Sequence, residues 1–495
     1  MFCLRRCILT MMRTLLILIA LARFAAAQAL DVSKVDALAE AALKAWNAPG
    51  IAVAIIKDDR VLMAKGYGVK EHGKPGAVTA DTVFAIGSMS KAFTTASMAM
   101  LIDEGKMSWD DPVRKHVEFF RLSDPLANEQ VTLRDLVSHR TGLSRNDVLW
   151  TRTPWSQEEI IRRIGFVKPS QPFRTVWQYQ NIMFSTAGYA VGKASGGSWQ
   201  SFVEQRIFAP LGMKSASTRI AAAESAPDHA SPHRKTQVVA WHNLDNIAPA
   251  GAVNASLKDM IPWARLQLNG GEIDGKRLIS AKNVEEMHTP QMAIRPEDAG
   301  RDWNPEIGQL SYGMGWFLVD YRGLKMVSHG GAIDGFRSDM TMVPREKMAV
   351  IVLCNLDQDN LPEALRWSIL DLMHGFPTTD WNAMLIGHAQ EEQKEAEAVR
   401  KRRAAQRVQG TTPSHPLADY AGTYADAGYG DVRIAAANGA LTLEWLSLRA
   451  PLEHYHYDTF DAKGGGMGGS QVAFRTAPNG SITGLSFMGV DFARR

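Results

Sequence analysis

Hydrophobic spacing changes character three times along the chain. From 33 to 46, Val35, Leu38, Ala42 and Trp46 fall on one helical stripe, with Asp36 placed three residues after Ser33 as a capping box. Pro49-Gly50 ends that helix, and the apolar runs at 51–56 and 61–65 predict a hairpin turning at Asp58-Asp59. Further strand-like runs lie at 313–320, 324–328, 338–343 and 349–353, separated by short turns. Together they predict an antiparallel sheet between terminal helices. Residues 108–260 carry mostly helical signals and read as an inserted helical subdomain.

After His374-Gly375 the pattern switches. Residues 381–412 are expected to form a charged linking helix, with Glu391, Glu392, Glu395 and Glu397 ahead of Arg400, Lys401, Arg402 and Arg403, an order that suits a helix dipole. Strict alternation then begins. Val432 and Ile434, an Asn438-Gly439 turn, and Leu441, Leu443 and Trp445 spell a hairpin. Asn479-Gly480 separates a second pair, Val472 and Phe474 from Ile482, Leu485 and Phe487. Residues 413–495 are therefore expected to form a small antiparallel β-barrel. The glycine-rich loop 464–469 is long enough to reach toward a cleft in the main unit, and the barrel could equally serve homo-oligomer formation.

Composition narrows the picture. The formal charge of +3 includes Arg5, Arg6, Arg13 and Arg23, with no acid before Gln28, so the remainder carries −1 (3 − 4). Those arginines, the apolar stretch from Leu15 to Ala22 and Ala25-Ala26-Ala27 read as an export signal over 1–27, which implies a periplasmic or secreted protein. The apolar run is shorter than the ~20 residues a membrane span needs. No basic patch with interleaved aromatics suggests nucleic acid. Cys354 is the single cysteine beyond residue 27 and lies in an apolar strand-like run, so the fold rests on its core. Pro232 stands between His229 and His233 and works against a shared helix, His454 with His456 lacks a third ligand, and neither a metal nor a cofactor is expected.

Chemistry concentrates in three short segments. Ser88-Met89-Ser90-Lys91 opens an apolar helix-forming stretch, and three positions place the hydroxyl and the amine on one face. A lysine there is desolvated, which lowers its pKa and frees a lone pair to act on the serine. Tyr179-Gln180-Asn181 puts a phenol and an amide on one side of an extended segment. His329-Gly330-Gly331 follows a strand and leaves bare backbone along which a substrate can lie.

In this order the segments resemble the motifs of serine hydrolases grouped with class C β-lactamases, penicillin-binding proteins and D-aminopeptidases. Leu136 to Leu143, Pro249 to Ala252 leading into Ser256–Met260, and Tyr312-Gly313-Met314-Gly315-Trp316, taken as a strand before the third motif, are similar to further family segments. The likeness covers about 31–375. It implies an α+β fold: a β-lactamase/transpeptidase-like antiparallel sheet flanked by helices over 28–380, with the barrel resembling lipocalin-like appendages of some D-peptidases. It also implies Ser88 as nucleophile, Lys91 or Tyr179 as base, Asn181, His329, Gly330 and Gly331 as substrate-orienting groups, and the backbone N–H groups of Ser88 and Ala332 as oxyanion hole. Where β-lactamases keep Lys-Thr, this chain has His329 and Gly330, which weakens attraction for a substrate carboxylate. The expected activity is hydrolysis of small peptide amides or esters through an acyl-serine. A carboxylesterase, a weak β-lactamase and a penicillin-binding sensor that does not turn over are the alternatives.

Overall fold

The structure, a computed structural model, describes residues 31–295, 304–357 and 360–495. The expected export signal lies outside those residues. Helix α1 (Val32–Trp46) is capped by Asp31, whose carboxylate accepts from the Ser33 N–H at 3.1 Å. The expected box of Ser33 and Asp36 does not form, because Asp36 turns to Lys65 and the Tyr67 hydroxyl on the adjacent strand.

Strands β1 (Gly50–Lys57) and β2 (Arg60–Gly68) form the expected hairpin, with Asp58 and Asp59 both at positive φ, as a tight turn between twisted strands requires. The sheet continues in β3 (Met292–Ala293), β4 (Ile307–Tyr312), β5 (Phe317–Tyr321), β6 (Leu324–Ile333), β7 (Phe336–Val343) and β8 (Met348–Cys354). Its eight strands run in the order β2-β1-β8-β7-β6-β5-β4-β3, every pair antiparallel. Of Tyr312–Trp316, expected as a strand, only Tyr312 is in β4, and residues 313–316 form the turn to β5. The Gly313 N–H bonds the Trp316 carbonyl, and Gly315 sits at φ +80° against the helix that carries Lys91.

Both faces of the sheet are covered. Ile51, Val53 and Ile55 of β1 join Val35 of α1, Trp367 of α6 (Leu361–His374) and Trp381 in one core. Ala52, Ala54 and Ile56 join the helical region in the other. Burial on two sides explains why β1 and β8 are apolar runs without alternation. On the second face lie α2 (Ser90–Asp103), α3 (Leu133–Val137), α4 (Asn181–Ser195) and α5 (Leu257–Leu268).

Helix α7 (Trp381–Ala405) buries only Trp381 and Leu385 and leads to a closed barrel of eight strands. These are β9 (Gly422–Asp426), β10 (Gly430–Ala437), β11 (Ala440–Trp445), β12 (Leu448–His456), β13 (Thr459–Ala462), β14 (Gln471–Thr476), β15 (Ile482–Phe487) and β16 (Val490–Arg494). Aromatic side chains fill its interior, with Trp445 against Phe487 at 5.7 Å and Tyr420 against Phe474 at 4.7 Å between ring centres. Among the described residues no helix is long and apolar enough to cross a membrane, and no group of three or more His, Cys, Asp or Glu gathers as metal ligands. Both ring nitrogens of His233 are engaged instead, by the Asn355 carbonyl and the His72 N–H.

Candidate active site

Ser88 lies in a single 3-10 turn, Gly87–Met89, that runs straight into α2. The turn is pinned from within and from outside: Ser90 Oγ donates to the Gly87 carbonyl at 2.7 Å and accepts the Val253 N–H at 2.9 Å. Lys91, one helical turn on, is fully buried with Nζ 3.0 Å from Ser88 Oγ, and donates to the Ala250 carbonyl at 2.8 Å. Burial pushes Lys91 well below the usual lysine range; the Arg145 guanidinium adds to this, and Asp147 opposes it without reversing it.

Tyr179 meets the same amine from the other side. Lys91 Nζ stands 4.8 Å from the centre of the Tyr179 ring and 5.4 Å from that of Phe184. Burial raises Tyr179 above the usual phenol range, while Ser88 and Arg145 pull it down only in part. Gln180, not Asn181, is the extended residue: its side chain caps α4 by accepting the Ile182 N–H at 2.9 Å. Asn181 is therefore the first helical residue, and its Nδ2 donates to Asp147 Oδ1 at 3.0 Å rather than to Lys91. Asp147 also accepts from Trp150 Nε1 at 2.8 Å and from Arg145 Nε. Arg145 spans the Tyr179 ring at 5.0 Å.

The third segment lies on β6. His329 is buried, with Nδ1 2.6 Å from the Gly330 carbonyl and Nε2 3.0 Å from the Tyr312 hydroxyl. A carbonyl only accepts, so the ring proton sits on Nδ1 and Nε2 accepts from Tyr312. Burial, with Lys91 nearby, lowers His329 to about 3, so the ring is neutral. The β6–β7 hairpin pairs Ile333 with Phe336, Ala332 with Arg337 and Gly331 with Ser338. In such a ladder alternate residues turn their N–H and C=O away from the partner strand. The flanking pair, Ile333 and Phe336, bonds across the turn, which leaves Gly330 and Ala332 facing the free edge. The Ser88 turn packs against that edge: a Cβ on Gly87 would lie 2.9 Å from Ala332 N, and one on Gly331 would lie 1.9 Å from Ile86 O. Glycine is required at both by this approach of backbone to backbone.

Ser88, Tyr179, His329, Gly330, Gly331 and Ala332 line one cleft of about 500 Å³, whose walls also include Arg145, Trp177, Phe317, Arg337, Asp339 and Glu363. Lys91 lies beneath its floor and Asn181 behind the Arg145–Asp147 loop. Several contributors escape a search by residue type. Ala250 acts through its carbonyl, Arg145 and Asp147 follow the turn at Gly142, and Tyr312 precedes a turn that reads as strand. His139, at φ +57°, accepts the Gln180 N–H at 3.0 Å and packs tilted against the Tyr179 ring at 4.3 Å between centres, fixing the backbone beside the phenol.

A family model described as Beta-lactamase matches residues 35–373, and one described as a domain of unknown function, DUF3471, matches residues 406–494. The Unguisins hydrolase ungD of Aspergillus violaceofuscus is 28% identical over 440 residues, which cover 81% of this chain and 76% of that protein. Penicillin-binding protein 4 of Amycolatopsis lactamdurans is 28% identical over 320 residues, covering 62% and 81% respectively. Protein flp of Staphylococcus aureus is 24% identical over 345 residues, covering 67% and 64%. Among solved structures, the octameric penicillin-binding protein homologue from Pyrococcus abyssi matches with a TM-score of 0.61 at 22% identity, over 94% of this chain and all of that one. That last likeness bears on the fold alone.

Proposed function

The chain belongs to the Beta-lactamase family, and on that premise we propose that it hydrolyses small peptide amides or esters through an acyl-Ser88 intermediate. One observation carries the proposal: a fully buried lysine, held below its usual pKa, stands 3.0 Å from a serine hydroxyl. An uncharged Nζ gives one N–H to Ala250 and keeps a lone pair for the Ser88 proton. Ser88 Oγ then attacks the substrate carbonyl as the proton passes to Lys91. The oxyanion forms between the N–H groups of Ser88 and Ala332, each worth about 2.7–4 kcal/mol in such a role. The start of α2 adds a favourable dipole for that charge.

Tyr179 keeps its proton by virtue of its burial, which suits it to protonate the leaving group and to recover a proton from Lys91. Lys91 is the better fit for base in the first step, because burial shifts it toward its deprotonated form and keeps Tyr179 protonated. In the second half, water attacks the ester and the same groups run in reverse. The test is Ser88→Ala: it should lose both turnover and covalent labelling by a serine-reactive phosphonate while keeping its fold. Full-rate labelling of that variant overturns the assignment.

A second reading concerns charge. His329 is neutral, so the cation that β-lactamases place in this segment is missing, yet Arg337 and Arg145 line the cleft. The carboxylates of the same cleft, Asp339 and Glu363, are engaged by Arg366 at 2.9 and 2.7 Å, whereas Arg337 donates to the Ile333 and Phe336 carbonyls, which favours a substrate bearing a carboxylate near Gly330. A cephalosporin or a D-aminoacyl peptide with a free C-terminus, compared with its neutral ester, separates the two readings: Arg337→Ala should erase any preference for the acid. Export is a further proposal, resting on Arg5, Arg6, Arg13 and the apolar segment before Gln28. Fractionation followed by N-terminal sequencing tests it, and protein confined to the cytoplasmic fraction with Met1 intact would refute it.

A further inference from the structure

A second cavity lies where the barrel meets the main unit, in two chambers of about 520 and 280 Å³ that share Arg152, His242 and Asp334. We propose that it receives an aromatic group on the acyl side of the substrate, a reading that rests on the Ser88 hydrolase assignment.

The lining of this cavity comes within two residues of the lining of the Ser88 cleft at two places. Asp334 is the hairpin residue two places beyond Ala332, and Asp147 is two places beyond Arg145 and bonded to Asn181. Tyr179, as donor to the leaving group, opens onto the first cleft, so the acyl portion extends past Ala332 toward Asp334. The larger chamber combines three indoles with a polar edge of Thr153, Asn243, Asn246 and Asp245. Trp150, Trp155 and Trp241 face the larger chamber. Asp334, shared by both chambers, is met by His242 at 3.1 Å, Arg152 at 3.4 Å and Arg234 at 3.8 Å, so its own charge is compensated. Indole faces with a polar edge suit a planar apolar group.

The barrel supplies the remaining wall in an unusual way. Leu446 lies at φ +55° in the two-residue turn between β11 and β12, and Met488 at φ +50° in the turn between β15 and β16. Glycine or asparagine is the unstrained choice at such positions. Both turns instead carry a large apolar side chain, and both side chains line the same chamber. Two local rules broken toward one cavity point to use of that cavity. The barrel is anchored beside it: Tyr429 Oη donates to Asn146 Oδ1 at 2.7 Å, and Ser447 Oγ donates to the Arg152 carbonyl at 2.6 Å.

The experiment compares p-nitrophenyl acetate with p-nitrophenyl 3-phenylpropanoate on full-length protein. Leu446→Gly combined with Met488→Asn removes the apolar wall while giving each turn the residue it favours, so folding is preserved. Trp241→Ala removes an aromatic wall of the larger chamber. The wild type should prefer the phenylpropanoate, and each variant should lower the ratio of the two kcat/KM values at least tenfold. A ratio unchanged in both variants, with acetate turnover that still depends on Ser88, overturns the proposal and leaves the hydrolase reading standing. Acetate turnover that survives Ser88→Ala overturns the hydrolase reading and this proposal with it.

Discussion

Gly331→Ala is the sharpest probe of how the site is assembled. Gly331 has ordinary strand geometry, so an added methyl costs nothing in backbone conformation, and only space decides the outcome. The space is absent: the Cβ would lie 1.9 Å from Ile86 O, 2.4 Å from Ser338 Oγ and 2.8 Å from Ile86 C. Ser338 Oγ cannot swing clear freely, because it donates to that same Ile86 carbonyl at 2.9 Å. Reaching 3.0 Å opens the gap between β6 and the Ser88 turn by about 1.1 Å. A displacement of that size at a reacting centre costs about 10²-fold in rate, or ~2.7 kcal/mol, and overpacking of this kind costs ~1–3 kcal/mol of stability. Gly330→Ala is the control, since its Cβ meets nothing nearer than Ser338 O at 3.3 Å. Steady-state kcat/KM on a neutral ester and a thermal melt should show a large fall for Gly331→Ala and a small one for Gly330→Ala. Wild-type rate and Tm in Gly331→Ala, or equal losses in both, would refute the reasoning.

Lys91→Met should abolish turnover yet raise Tm near neutral pH, because a desolvated amine is replaced by an apolar side chain. The unfolded chain holds the Lys91 proton up to about pH 10.4 while the folded chain releases it at lower pH, so wild-type stability rises with pH across that window; urea titrations at pH 7 and pH 10 should find the advantage of Lys91→Met shrinking, and a constant gap would contradict a neutral buried lysine. His329, held at about 3, should contribute no inflection to the pH–rate profile between pH 5 and pH 8, so His329→Gln should keep the acid limb where it is; movement of that limb toward higher or lower pH would assign it to the histidine. Tyr429→Phe should lower kcat several-fold with little change in Tm, since it frees Asn146 between Arg145 and Asp147; coupling near zero in a double-mutant cycle with Asn146→Ala would sever the barrel from the site.

The fold was legible wherever one physical period dominates a segment. Val35 and Ala42 mark the stripe of α1, Asp58-Asp59 and Asn438-Gly439 mark tight turns, and the alternation after Tyr429 marks barrel strands. Misreadings arose where a long-range partner outbid a local one. Asp36 forms no cap because Lys65 and Tyr67 reach it across the fold, and Tyr312–Trp316 bends because Gly315 must approach the helix of Lys91. Loop 464–469, long enough to reach toward a cleft of the main unit, brings Gly466 to the junction cavity. Ser88, Lys91 and Tyr179 were visible as types at a spacing. Groups that act through backbone, such as Ala250, or through a neighbour, such as Asp147 behind Asn181, carry no signature in one dimension. Asn181 shows this limit well: its motif names the residue, whereas its partner depends on where α4 begins.

The central claim is that Ser88 becomes acylated under the action of a buried, uncharged Lys91. Intact-protein and peptide mass spectrometry after exposure to an activated fluorophosphonate addresses it directly, on wild type and Lys91→Met at matched pH. The account predicts one adduct per chain, on the peptide containing Ser88, forming at least a hundredfold more slowly in Lys91→Met. An adduct on any other residue, or equal labelling rates in the two proteins, would contradict it.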